Sequence, residues 1–208
     1  AKLLHLHGFH VTFVHTDYNR RRLLRSRGPH ALDGLPTFRF HTIPDGLPSG
    51  DGDGDIADAT QDIPSLCRST STTCHPHFLR LLRHLNSPSS ASPPVTCIIS
   101  DGVMSFTLDA AEELSIPVVL FWTVSACGML GYAQYPALIQ RGLTPLKDPR
   151  DLDTVLHWIP GVDGIRLRDI PTFIRTTDPN DAMTHFLCRE IRRIPLASAV
   201  IAAALEMM

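Results

Sequence analysis

Asp101 follows Val95 to Ser100 (VTCIIS), an unbroken run of apolar and β-branched residues, and precedes a glycine. Such a run reads as a buried strand, and ligands of open parallel sheets bind beyond the carboxyl ends of the strands. A carboxylate at that mouth can orient a histidine base and balance its charge, the part played by the acid of a catalytic triad. The competing reading is a cap for the helix that begins near Phe106. Trp122 and Thr123 follow the next apolar run, Pro117 to Phe121 (PVVLF), and offer an aromatic wall and a hydroxyl to a sugar or a flat ligand. Against that stands a buried tryptophan beside a helix N-cap threonine.

Four other clusters invite chemistry and are weaker. The acidic run Gly50 to Asp55 (GDGDGD) fails the calcium-loop template, because counting from Asp51 places Ile56 where glycine is needed and Asp62 where a bidentate glutamate is needed. A solvated loop is the expectation there. His5, His7, His10 and His15 have spacings that turn them in different directions, and His75 and His77 flank a proline, so neither group is expected to hold a metal. Arg20, Arg21, Arg22, Arg25 and Arg27 could touch phosphate, but a solvated helix face explains them.

Strands alternating with helices must carry these residues. The pattern predicts a helix end at residues 1–6, a strand at 9–14, a helix at 18–27 and a strand at 37–43. It continues with a loop at 44–60, a long helix at 63–85 with a possible break at His75-Pro76, and a surface connector at 86–94. Next come a strand at 95–100, a helix at 106–114, a strand at 117–121 and a helix at 126–141. An irregular region spans 142–168, followed by a helix at 181–193 and a strand at 197–201. Apolar strands without alternation imply burial on both faces, and the order implies a doubly wound α/β fold, a parallel sheet with helices on both sides.

Bulk properties bound the partners. With 208 residues, 43% hydrophobic, and a formal net charge of -2, the chain can bury a core as one compact unit and gives no electrostatic case for nucleic acid or anionic membrane. Five scattered cysteines without a CxxC pair read as free thiols in a reducing compartment, hence a cytoplasmic protein. The longest apolar run, about 15 residues from Ile116 to Leu130, is shorter than the roughly 20 needed to span a bilayer.

Five segments carry a resemblance: LLHLHGFHVTFVHTDYNRRRLLRSRGP, IPDGLP, PPVTCIISDGVMSFTLDAAEEL, IPVVLFWTVSACG and WIPGVDGIRLRDIPTFIRTTDPND. Together they resemble the plant secondary-metabolite UDP-glycosyltransferases, most of all the subfamily that includes cyanohydrin glucosyltransferases. The resemblance implies a Rossmann-like domain, the N-terminal half of a two-domain GT-B enzyme. It also implies transfer of a sugar, glucose by expectation, from a UDP-sugar to a hydroxyl of a small lipophilic acceptor with inversion. By motif Asp101 matches the aspartate that holds the catalytic histidine, and Thr123, with Trp122 beside it, matches a donor-sugar position. Val103 and Phe186 resemble acceptor-pocket positions. No cofactor beyond the UDP-sugar and no metal are implied, and a monomer is the expectation.

The resemblance also implies that residues 1–208 are a partial acceptor-binding domain. The first strand, the base histidine in a PxxxQGH-type segment and the UDP-sugar domain have no match, and the opening Ala1-Lys-Leu-Leu reads as the end of a helix. After Ile201 the residues AAALEMM depart from the family's usual continuation. The expectation is an active complete enzyme and an inactive, unstable isolated piece; the rival is a non-catalytic binder that keeps an acceptor cleft.

Overall fold

The computed structural model describes residues 1–47 and 62–203. The acidic run Gly50 to Asp55 and the residues after Ala203 lie outside the described residues. Contacts divide the chain into two compact units, one of residues 1–98 with 109–116 and one of 99–108 with 117 onward.

In the first unit a short helix α1 (Lys2–Leu6) leads through Gly8, which takes φ +85°, to strand β1 (Val11–Thr16). The strand starts two residues later than its composition suggests, so His10 precedes it. The Thr16 hydroxyl accepts the N–H of Asn19 and caps α2 (Asp17–Arg27). Strand β2 (Phe38–Ile43) pairs parallel with β1 in register from Val11↔Phe38 to Thr16↔Ile43. The first unit's long helix α3 (Ile63–Leu85) is capped by Asp62 and runs unbroken through Pro76. A proline inside a helix removes one hydrogen bond. Here the buried stripe Thr70, Cys74, Phe78, Leu82 and Leu85 recurs at helical spacing on both sides of it, and α3 packs on β2, so packing overrides the predicted break.

The second unit contains β3 (Ile98–Asp101), β4 (Val118–Ser125) and β7 (Ala199–Ala203), in spatial order β3-β4-β7, with β4 and β7 parallel. Helix α4 (Phe106–Glu112) connects β3 to β4. The helix expected over 126–141 is two, α5 (Ala126–Ala133) and α6 (Tyr135–Gln140), because Pro136 falls in the first turn of the second and cannot extend the first. The irregular region contains a two-residue antiparallel pair, β5 (Val155–Leu156) with β6 (Ile165–Arg166). Helix α7 (Ala182–Arg193) is capped by Asp181, whose carboxylate accepts the Thr184 N–H at 2.7 Å.

The α/β reading with parallel strands and helices holds, β1 pairing parallel with β2 and β4 with β7 in two sheets, beside the small antiparallel pair β5–β6. Burial on both faces does not hold for the second sheet. Val118, Leu120 and Trp122 of β4 are buried, while Ile99, Phe121 and Ile201 are 49%, 41% and 46% exposed. Phe121 and Ile201 are register partners and both exposed, and Val200, the partner of buried Leu120, is exposed as well.

Candidate functional site

Asp101 is the last residue of β3 and is exposed. Its Oδ1 accepts the Val103 N–H at 3.0 Å, and its carbonyl accepts the Met104 N–H at 3.1 Å, so its own side chain shapes the turn that follows. Asp101 has no other side-chain partner among the described residues, which leaves Oδ2 open to a ligand or a base. The cap reading is thereby answered in part: the carboxylate stabilises its own turn, and the N–H of Ser105, just before α4, goes elsewhere.

The N–H of Gly102 donates to the Phe121 carbonyl at 3.0 Å, tying the end of β3 to β4. Gly102 is buried, and a Cβ there would clash with Nε1, Cδ1 and Cε2 of the Trp122 indole. Only glycine allows the ring this approach.

Trp122 and Thr123 do not follow β4 but lie within it, since the ladder to β7 pairs Trp122↔Ala202 and, after a register shift that takes in Thr123, Ser125↔Ala203. The two side chains part, Trp122 buried and Thr123 exposed at the register shift. Trp122 is 3% exposed, packs against Tyr132 with ring centroids 6.1 Å apart, and its Nε1–H has no acceptor among the described residues. Thr123 is exposed. The N-cap role that competed for Thr123 belongs to Ser125, whose Oγ accepts the Gly128 N–H at 3.1 Å. The structure thus sets Asp101 and Thr123 at the carboxyl ends of neighbouring strands and places Trp122 in the core.

Val103 is half-buried in the Asp101 turn, and Phe186 is half-buried on α7 with the Arg189 guanidinium 5.2 Å from its ring centroid. A residue the sequence did not single out links α7 to this turn. Glu190 is 1% exposed, and its Oε2 accepts the Ser105 N–H at 2.9 Å. The available signal was a carboxylate set in the apolar stripe Met183, Leu187 and Ile191, where a charge is rarely left without a partner.

In the first unit His15 is buried at the carboxyl end of β1, with its Nε2 unpartnered among the described residues. Burial holds its pKa below the ordinary value and keeps the imidazole neutral near pH 7. Also in this unit, Asp45 of IPDGLP is 1% exposed and accepts the N–H groups of Tyr18 at 2.7 Å and Leu47 at 3.1 Å, fastening the loop after β2 to the start of α2. Among the described residues no three His, Cys, Asp or Glu side chains gather as a metal site, and no helix is long and apolar enough to cross a membrane.

No family model matches the chain. It is 59% identical over 206 residues to (R)-mandelonitrile beta-glucosyltransferase of Prunus dulcis, covering 97% of this chain and 41% of that protein. It is 58% identical over 207 residues to 7-deoxyloganetin glucosyltransferase of Gardenia jasminoides, covering 97% of this chain and 42% of that protein. The chain thus spans about two fifths of the length of these relatives. The crystal structure of UDP-glucose: anthocyanidin 3-O-glucosyltransferase in complex with UDP superposes with a TM-score of 0.64 at 22% identity, over 92% of this chain and 39% of that one. High identity along nearly the whole chain, joined to that shared fold, makes the chain a member of the plant UDP-glycosyltransferases, corresponding to the N-terminal half of their GT-B fold.

Proposed function

We propose that the complete protein carrying this chain transfers glucose from UDP-glucose to a hydroxyl of a small lipophilic acceptor, with inversion at the anomeric carbon. The reading is supported by relatives named as glucosyltransferases at 58–59% identity. The observation that carries it within this chain is the Asp101 carboxylate, exposed at the end of a sheet strand with one oxygen committed to its turn and the other unengaged among the described residues.

In the proposed reaction a histidine base takes the acceptor hydroxyl's proton as the hydroxyl oxygen attacks the anomeric carbon, and the bond from that carbon to the UDP oxygen breaks. UDP leaves with the bonding electron pair, and the histidine gains a positive charge. Asp101 orients the imidazole and balances that charge. Thr123 offers a hydroxyl to the donor sugar. Trp122 serves the donor site by seating the strand that carries Thr123, and Val103 and Phe186 shape the acceptor side. This domain, residues 1–208, binds the acceptor; the reaction as drawn uses no metal ion and no cofactor beyond the UDP-sugar. A monomer in the cytoplasm, with no nucleic-acid or membrane partner, suits the near-neutral composition.

The deciding experiment is Asp101→Asn in the complete enzyme, since the amide keeps an oxygen for the Val103 N–H and removes only the charge. Transfer from UDP-glucose should fall by about 10²-fold or more in kcat with the melting transition unchanged. Parental turnover in that variant refutes the role of Asp101.

A further inference from the structure

We infer that Glu190 is a positioning residue for the Asp101 turn, acting through the backbone of Ser105; this rests on the reading of Asp101 given above. Glu190 and Ser105 are 1% and 5% exposed, and the bond between them spans 85 residues of sequence. The second carboxylate oxygen, Oε1, accepts Arg189 Nε at 2.9 Å, so both oxygens are engaged. Arg193 Nη2 donates to the Ser105 carbonyl at 3.4 Å, so α7 grips both backbone groups of this one residue.

The segment from Asp101 to Ser105 is held at two ends. At the strand end the Gly102 N–H bonds to the Phe121 carbonyl, and at the helix end the Ser105 N–H bonds to Glu190. Only Val103 and Met104 lie between, and both donate backbone N–H bonds to Asp101. The direction of the Asp101 carboxylate is therefore set by two anchors, one of them a buried charge on another helix. A helix start leaves backbone N–H groups without internal partners, and a charge-assisted acceptor is the strongest way to fix one. The same helix carries Phe186 four residues before Glu190, so the acceptor-side aromatic and the Asp101 turn share one rigid support.

The test uses the complete enzyme with Glu190→Met, which keeps volume and helix propensity without an oxygen acceptor, and Glu190→Gln, which keeps one oxygen for Ser105. Amide hydrogen exchange over residues 102–106 reads the anchor, and turnover reads its consequence. Glu190→Met should speed exchange there and lower kcat by about 10²-fold, the effect of a misplaced catalytic group, while the UDP-glucose KM changes little. In Glu190→Gln both effects should be intermediate, with kcat within about tenfold of the parent because a neutral bond replaces a charged one. Glu190→Met added to Asp101→Asn should lower kcat no further than Asp101→Asn alone.

Unchanged exchange in Glu190→Met overturns the inference, as does parental kcat despite faster exchange or a further kcat loss in the double variant. Should the Met variant fail to fold, faster exchange at parental kcat in Glu190→Gln overturns it as well. Parental kcat in Asp101→Asn alone sinks the Asp101 reading instead, and the exchange data then still decide whether Glu190 fixes the turn.

Discussion

The indole ring of Trp122 occupies the space that a Cβ on residue 102 would need, so Gly102 and Trp122 are a matched pair across two neighbouring strands. The pairing buries the indole directly behind the turn that presents Asp101.

Gly102→Ala should therefore destabilise the protein through overpacking, by about 1–3 kcal/mol, as measured by urea unfolding. Trp122→Leu made in the same chain should recover part of that loss, with a coupling of about 0.5–3 kcal/mol. Additive effects of the two changes would contradict the pairing.

Asp45→Ala should leave the buried N–H of Tyr18 and the partly buried N–H of Leu47 without their acceptor. A cost of about 1–3 kcal/mol is expected for a buried donor left unsatisfied, and Asp45→Asn should recover part of it by keeping one oxygen. Urea midpoints of the two variants check the order.

Burial is the main cause that lowers the pKa of His15 from 6.5, and burial with nearby His84 and Arg39 does the same for His41. A histidine whose folded pKa lies below its unfolded one binds protons more readily when unfolded. Its contribution to stability is present above about pH 6.5 and is lost as pH falls from there toward the folded pKa. Unfolding free energy measured from pH 7.5 down to pH 5 should fall, and His15→Asn should flatten that slope; an unchanged slope would contradict the assignment.

Cys97 and Cys127 are exposed, whereas Cys74 is fully buried with its thiol pushed up to about 12, and Cys188 is buried with its thiol also raised. The thiolate is the reactive form. A disulfide reagent should therefore modify Cys97 and Cys127 in the native protein and reach Cys74 and Cys188 only on unfolding, as peptide mapping would show.

Thr123→Val should weaken donor use by the complete enzyme about 3- to 10-fold in kcat/KM, the worth of one neutral hydrogen bond. Measurement with UDP-glucose at fixed acceptor concentration checks this, and an unchanged value removes Thr123 from the donor site.

Much of this protein was legible from residue order alone. Apolar, β-branched runs placed the strands near Val11, Ile98 and Val118, and alternation placed the one near Phe38, since such clusters between turn residues have few other uses. Helical spacing located α2, α3 and α7, and motif order placed Asp101 at a strand end. These features are local, or depend on patterns repeated within one element. What residue order could not decide was long-range. Whether α3 broke at Pro76 depended on the packed stripe around it, and how far β4 ran depended on its ladder with β7. That pairing left Trp122 in the core and Thr123 exposed at a shift in register. The bond from Glu190 to Ser105 joins residues 85 positions apart, and the Gly102–Trp122 fit joins two strands separated by a helix. No short sequence window contains both partners of such a contact, so tertiary packing alone could choose them.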